Sequence, residues 1–144
     1  MHVLVVDDVA ENTKLLASVL RRLPGVVPEL FTSSIDALTW ALDHDVALVL
    51  LDYHMPDLDG LAFLEQFHAL PGKRGVPVVI VTLETDVQVR LRALDLGAAD
   101  FILKPYRNAE IRVRVSNLLE LQRARELLQV QARFLAQGDV VEAQ

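Results

Sequence analysis

The sequence predicts an α/β fold, a doubly wound parallel sheet of five strands with five helices, the last one extended. Two observations predict it. Five short, β-branched apolar runs recur along the chain, and segments with helical spacing lie between them. Runs apolar on both faces, without alternation, suit a buried parallel sheet. Repeated β-α alternation implies right-handed crossovers and helices on both faces.

The elements follow in order. Residues 3–6 form the first run, and Thr13, Leu16, Leu20 and Leu23 then recur at steps of three and four. Residues 26–31 form the second run, followed by Ile35, Leu38 and Leu42 on one stripe. Residues 47–51 form the third, followed by Leu61, Leu64 and His68 with Phe63 and Phe67 beside them. Residues 76–81 form the fourth, followed by Val87, Leu91 and Leu94, with Gly97 placed where a left-handed residue ends a helix. Residues 99–103 form the fifth. Beyond them the helical pattern runs from Asn108 to Gln137 without Pro or Gly.

Composition excludes several classes. The chain has 144 residues, 52% hydrophobic, which is enough for one domain with its own core. The absence of cysteine removes disulfide scaffolds, thiolate metal sites and a cysteine nucleophile. Fourteen Lys+Arg against 20 Asp+Glu, net −6, argue against a nonspecific nucleic-acid binder. Residues 1–106 hold 15 acids and 8 bases, net −7, and residues 107–144 hold 5 acids and 6 bases, net +1. The longest apolar run, residues 46–51, falls far short of the roughly 20 residues that span a bilayer. The first residues lack a basic start and carry Asp7-Asp8, so the expected location is the cytoplasm.

In doubly wound folds, ligands bind outside the carboxyl ends of the strands. The residues there are Asp7-Asp8 after strand 1, Asp52 after strand 3, Thr82 after strand 4 and Lys104-Pro105 after strand 5. An isolated Asp-Asp pair is ordinarily a solvated turn, and a lone Thr or Lys at a strand end is ordinarily surface. Three carboxylates converging on one edge instead recruit a cation or a proton. An oxygen-rich acidic pocket suits Mg²⁺, which takes one or two carboxylates and keeps waters and a phosphate oxygen. A carboxylate nucleophile, a cation, a lysine and a hydroxyl make a phosphoryl-transfer set.

Four stretches carry a resemblance. They are Val5-Val6-Asp7-Asp8; Leu51-Asp52-Tyr53-His54-Met55-Pro56-Asp57-Leu58-Asp59-Gly60; Val81-Thr82; and Leu96-Gly97-Ala98-Ala99-Asp100-Phe101-Ile102-Leu103-Lys104-Pro105. In this order the chain resembles a two-component response-regulator receiver domain over about residues 2–120. The resemblance implies a flavodoxin-like strand order 2-1-3-4-5. It implies that Asp52 accepts a phosphoryl group from a histidine kinase or phosphotransfer protein. Asp8 would bind Mg²⁺ directly and Asp7 through water, with Asp52 and the backbone carbonyl of His54 completing the protein ligands. Lys104 would pair with the phosphoryl oxygens, and Thr82 would hydrogen-bond one of them. Phe101 would be the switch aromatic that turns inward on activation. The Lys104-Pro105 bond would be cis, and Met55-Pro56 and Gly60 would shape the nucleophile loop. Such a domain is a phosphoacceptor switch that catalyses only its own phosphotransfer and dephosphorylation. Its reporting face would be the fourth helix, fifth strand and fifth helix.

Three positions depart from the family pattern. Tyr53 follows the nucleophile where an aliphatic residue is commoner. His54 faces the phosphoryl entrance, where an imidazole could alter dephosphorylation. Leu83 follows Thr82 where a small residue is common, and its bulk is expected to narrow access to Asp52 and crowd the inward path of Phe101. His44 and His68 carry no chemistry in this reading, and Trp40 has no assigned partner.

The final helix reads as more than a receiver needs. Leu121, Leu128 and Leu135 stand at heptad spacing, with Leu118, Arg125 and Ala132 between them. The expectation is a receiver at 1–120 and, at 121–144, a coiled-coil linker forming a parallel homodimer. The alternative is one amphipathic helix folded back on its own domain. The stretch 111–122 resembles receivers whose helix leads into a diguanylate cyclase, an HD-GYP phosphodiesterase or a histidine kinase. Neither a helix-turn-helix nor a basic patch is evident. Two other functions compete: a phosphorylation-independent dimerisation module, and a haloacid-dehalogenase-type phosphohydrolase. The latter needs a second acid two residues past the nucleophile, where this chain has His54. The lack of a Gly-x-Gly-x-x-Gly after strand 1 argues against a dinucleotide-binding fold.

Overall fold

The computed structural model describes residues 1–142, with side chains described through residue 137. The elements are β1 (His2–Val6), α1 (Ala10–Leu20), β2 (Val27–Phe31), α2 (Ser34–Asp43), β3 (Leu48–Leu51), α3 (Gly60–Ala69), β4 (Val78–Thr82), α4 (Val87–Asp95), β5 (Asp100–Leu103) and α5 (Asn108–Glu142). All strand pairs are parallel, and the order is β2-β1-β3-β4-β5. The doubly wound fold and the strand order both stand as expected.

The non-alternating runs now have a physical account. Successive residues of one strand enter opposite layers. Leu4, Val6, Val49 and Leu51 pack with Phe63, Leu64 and Phe67 beneath α2, α3 and α4. Val3, Val5, Leu48 and Leu50 pack with Leu16, Leu20, Ile111 and Val115 beneath α1 and α5. Both faces of the central strands are therefore buried. Each leucine of β3, fully excluded from water, contributes about 1.5–3 kcal/mol. The edge strand β2 departs from the expectation: Val27 and Leu30 are exposed, because no strand among the described residues pairs with β2 on its outer side.

Two predicted helix stripes are mis-phased. In α2 the buried face is Ser34, Ala37 and Ala41, while Ile35 and Leu42 face solvent. In α4 only Ala93 is buried, and Val87, Leu91 and Leu94 are exposed. Small residues form the fully buried contact of both helices; of the α2 stripe only Leu38 is partly buried against the core, as is Trp40. In α1, Thr13, Leu16 and Leu20 are buried as expected, and Leu23 lies past the helix end. In α3 the buried set is Phe63, Leu64 and Phe67. His68 is half-buried, its Nε2 bonded to the Val76 carbonyl at 2.9 Å. Trp40 has partners after all: it stacks on His44 at 3.9 Å and packs against His2 and Phe31.

Two glycines are required where they stand. A Cβ on Gly60 would meet the Tyr53 Cα at 2.8 Å and the Asp52 carbonyl at 3.1 Å, so only glycine lets α3 start against the nucleophile loop. Gly97 has φ +101°, the left-handed position that ends α4. The last helix, α5, does not fold back. It runs unbroken for 35 residues, about 52 Å at 1.5 Å per residue. Among the described side chains, everything from Arg123 onward is exposed.

Candidate functional site

The carboxyl edge of the sheet gathers the predicted residues. Asp7 follows the last residue of β1 and is 2% exposed, buried despite its charge. Its Oδ1 accepts the backbone N–H of Val9 at 2.9 Å and the Asn12 amide at 3.4 Å, so it also organises the start of α1. Asp8 beside it is exposed. Asp52 follows β3, and its N–H donates to the Val6 carbonyl at 2.9 Å, fixing its height beside β1. Its Oδ1 accepts the His54 N–H at 3.2 Å, which curls the loop around the carboxylate.

Lys104 closes the group. Its ammonium donates to Asp7 Oδ2 at 2.9 Å and to Asp52 Oδ2 at 3.2 Å, bridging two strand ends. The peptide bond to Pro105 is cis, as the resemblance implies. The Lys104 N–H donates to the Thr82 carbonyl at 2.9 Å, locking β5 to β4 at the site. Burial pushes the Lys104 ammonium down, but the hydrogen bonds and charges of Asp7 and Asp52 outweigh it and hold it above the usual lysine value. Burial likewise pushes the Tyr106 hydroxyl up. The Lys104 charge works against that rise, and the Asp7 charge adds to it.

One ligand oxygen from each of Asp7, Asp8 and Asp52 can lie within 4.8 Å of the other two. The donors are all hard oxygens, and one of the three carboxylates is open to solvent. That donor set fits a divalent cation of the Mg²⁺ type. Lys104 neutralises part of the charge, and a cation would neutralise the rest.

Thr82 is fully buried at the end of β4, and its hydroxyl accepts the Glu84 N–H at 3.3 Å. Phe101 is buried in the layer beneath α3 and α4. Leu83 is 68% exposed.

Three contacts at the site escaped the sequence reading. Glu84 Oε2 meets His54 Nε2 at 2.9 Å, tying the loop after β4 to the nucleophile loop. Asp57 Oδ2 accepts the Ser33 hydroxyl at 2.7 Å and the Ile35 N–H at 3.2 Å, latching the same loop onto the start of α2. Burial works to raise the Asp57 carboxyl. The Ser33 hydroxyl and the backbone N–H groups of Ile35, Ser34 and Asp57 outweigh that and lower it to about 2. Asn12 completes the shell of Asp7. The contacts of Glu84 and Asp57 join segments far apart in the chain, whereas Asn12 lies five residues past Asp7. The only local hint was polar residues close to a strand end, as with Glu84 two positions after Thr82.

A bridging lysine over clustered aspartates, on a five-stranded 2-1-3-4-5 sheet, defines a phosphoacceptor switch of the two-component type. The response regulator receiver domain family matches residues 3–116, and the chain belongs to that family. It is 37% identical over 141 residues to the cyclic di-GMP phosphodiesterase response regulator RpfG of Xanthomonas campestris pv. campestris (strain 8004). That match covers 95% of this chain and 36% of RpfG, so the chain spans about a third of that relative's length. Among solved structures, a CheY-like receiver domain protein from Methanospirillum hungatei JF-1 superposes with a TM-score of 0.79. It is 23% identical, covers 86% of this chain and 97% of its own, and attests the fold. The receiver domain of the sensor histidine kinase PA1611 from Pseudomonas aeruginosa PAO1, with magnesium coordinated in its active-site cleft, superposes with a TM-score of 0.75 at 26% identity. It covers 83% of this chain and 97% of its own. Receivers take phosphoryl groups from histidine kinases, and they are switches, not conventional enzymes. A haloacid-dehalogenase reading is not favoured. No helix among the described residues is long and apolar enough to cross a membrane.

Proposed function

We propose that Asp52 is the phosphoacceptor. The observation that carries this reading is the Lys104 ammonium set between Asp7 and Asp52. An Asp52 carboxylate oxygen attacks the phosphorus of a phosphohistidine on the partner kinase or phosphotransfer protein. The P–N bond breaks, the imidazole leaves with its electron pair, and an aspartyl phosphate remains. Asp8, Asp52 and the His54 backbone carbonyl would hold Mg²⁺ directly, and Asp7 would hold it through water. When bound, that ion offsets the charge of the phosphoryl oxygens. Lys104 pairs with one phosphoryl oxygen, and the Thr82 hydroxyl turns from Glu84 to donate to another. The domain also hydrolyses its own phosphoryl group, at a rate set in part by His54, whose imidazole Glu84 restrains, and by Leu83 beside the mouth of the site.

The phosphoryl group adds roughly two negative charges and biases a loop and aromatic that already have two arrangements. The buried Phe101 is one of them. The reporting face is α4, β5 and α5, where Val87, Leu91, Leu94 and Leu103 stand exposed and ready for a partner. The receiver comprises residues 1–120. The extension proposed for 121–144, of which residues 143 and 144 lie outside the described residues, carries the signal to an output domain. RpfG, matched through this helix, supports an output acting on cyclic di-GMP. The working state is a cytoplasmic homodimer built from the reporting face and the extended helix, without direct contact to nucleic acid.

The test is to incubate the protein with Mg²⁺ and beryllofluoride and to measure its oligomer size, with Asp52→Asn alongside. A shift to dimer in wild type and none in the variant supports the reading. Identical sizes throughout remove phosphorylation control of the tail.

A further inference from the structure

A cavity of about 350 Å³ lies at the edge of the sheet opposite Asp52. Val76 and Pro77, just before β4, and Ala99, just before β5, form part of its wall. The length of β4 separates it from Thr82, roughly 16 Å at 3.3 Å per residue. The root of the extended helix closes one side through Leu118, Leu121, Gln122 and Arg125. The body of the domain contributes His68 of α3 and Arg74 of the α3–β4 loop. No residue of the phosphoacceptor site lines it.

The lining is unlike the rest of the domain. Residues 1–106 carry net −7, yet no carboxylate lines this cavity, while two arginines and a histidine do. Among the described residues neither Arg74 nor Arg125 makes an ion pair. Two acceptors are unfilled as well. The Gln122 amide oxygen is buried and has no hydrogen-bond partner, a costly state for a polar atom. His68 Nε2 meets the Val76 carbonyl at 2.9 Å, so Nε2 carries the proton and Nδ1 of the neutral ring is an acceptor. That Nδ1 lies beside Gly97, another wall residue, where an added Cβ would meet it at 3.5 Å. Guanidinium groups match phosphate oxygens with paired N–H donors. A bare phosphate leaves most of the space empty, since 350 Å³ falls in the range of about 300–1,000 Å³ that organic ligands fill. Val76, Pro77, Leu118 and Leu121 offer apolar surface to the rest of a ligand, and the two free acceptors call for N–H donors on it. A purine base with an exocyclic amine has both the flat apolar face and the donors.

We propose that this cavity binds a purine nucleoside monophosphate, its phosphate on Arg74 and Arg125 and the amino edge of its base on Gln122 and His68. The site is separate from the phosphoacceptor site and does not depend on it. Gln122 and Arg125 belong to α5, and His68 and Arg74 to the body of the receiver, so one bound ligand ties the root of the extended helix to the domain. Occupancy therefore restrains the direction in which α5 leaves the receiver.

The experiment is an amide proton–nitrogen NMR titration of the full chain with AMP and with GMP, and separately with adenosine and with inorganic phosphate. EDTA is present throughout, which keeps a cation from holding phosphate at Asp52. The proposal expects saturable shifts at Gly75, Gly97 and Gln122 with AMP or GMP, while Asp8, Asp52 and Lys104 stay in place. It expects adenosine and inorganic phosphate each to bind at least about tenfold more weakly than the nucleotide. Arg74→Gln and Arg125→Gln, both at exposed positions, each weaken nucleotide binding roughly tenfold. Gln122→Leu separates a ligand contact from a structural one. It removes an unpartnered buried oxygen, so the thermal midpoint holds or rises while nucleotide affinity falls and phosphate affinity does not change. The amide spectrum of each variant reports that it is folded. No shift with either nucleotide at about 5 mM overturns the proposal. So do inorganic phosphate binding as tightly as the nucleotide, and any of the three variants binding the nucleotide as wild type does. Shifts centred on Asp8, Asp52 and Lys104 put the nucleotide at the phosphoacceptor site and overturn it too, leaving the phosphoacceptor reading untouched.

Discussion

Replacing Lys104 by methionine keeps the length of the side chain and removes the charge that two buried carboxylates share. The ammonium lies 2.9 Å from Asp7 and 3.2 Å from Asp52, and the side chains of all three are largely buried. At an effective dielectric of about 20, each contact has a Coulombic attraction of about 5–6 kcal/mol, much of it offset by desolvation. Removing one partner from such a buried group costs about 3–5 kcal/mol, since the remaining charges are left uncompensated. The lower end applies here because the site opens to solvent at Asp8, so the expected loss is about 3 kcal/mol. With a urea slope of about 2 kcal/mol per molar, the unfolding midpoint in EDTA falls by about 1.5 M. Mg²⁺ then stabilises Lys104→Met by binding the folded state. The alkaline limb supplies the sign. The folded-state value of Lys104 is raised, so its stabilisation is complete below the ordinary lysine value near 10.4 and is lost as pH climbs through the higher folded value. Wild type loses this increment above about pH 10, and Lys104→Met has none to lose. A variant within about 0.5 kcal/mol of wild type at pH 7 in EDTA refutes the account of the bridge.

Other consequences are directly measurable. Asp57→Ala removes the latch between the nucleophile loop and α2 and lowers stability by about 1 kcal/mol in thermal unfolding. The lowered Asp57 carboxyl stabilises above the ordinary value near 4, and that contribution disappears as pH falls toward about 2; acid titrations of wild type and Asp57→Ala converge there. Leu83→Ala, at an exposed position, leaves stability within about 0.5 kcal/mol but changes the rates of acetyl-phosphate labelling and decay. Unchanged rates show that Leu83 does not control access. Phe101→Ala empties a buried aromatic position and costs about 3–5 kcal/mol by urea unfolding.

The fold was legible because its signal is local and repeated. Strands buried on both faces read as unbroken apolar runs, and β3, with every residue inside, is the clearest. The strand-end rule then places Asp7, Asp52, Thr82 and Lys104 at one edge of the sheet. The phases of α2 and α4 were not legible. Their fully buried residues are Ser34, Ala37, Ala41 and Ala93, while Ile35, Leu42, Val87, Leu91 and Leu94 are exposed. A periodicity reading follows size and so chose the wrong side. The loop contacts of Glu84 with His54 and of Asp57 with Ser33 join distant segments, and no spacing rule encodes them. The tail heptad was visible as spacing, but only the burial of Ile111, Val115 and Leu119 shows which side of α5 packs on the domain.

The central claim is that Asp52 takes a phosphoryl group in a cation-dependent reaction. Intact-protein mass spectrometry after incubation with acetyl phosphate tests it most directly. The account predicts one phosphoryl adduct on wild type with Mg²⁺, and none on Asp52→Asn or on wild type in EDTA. No adduct on wild type with Mg²⁺, or an equal adduct on Asp52→Asn, contradicts it.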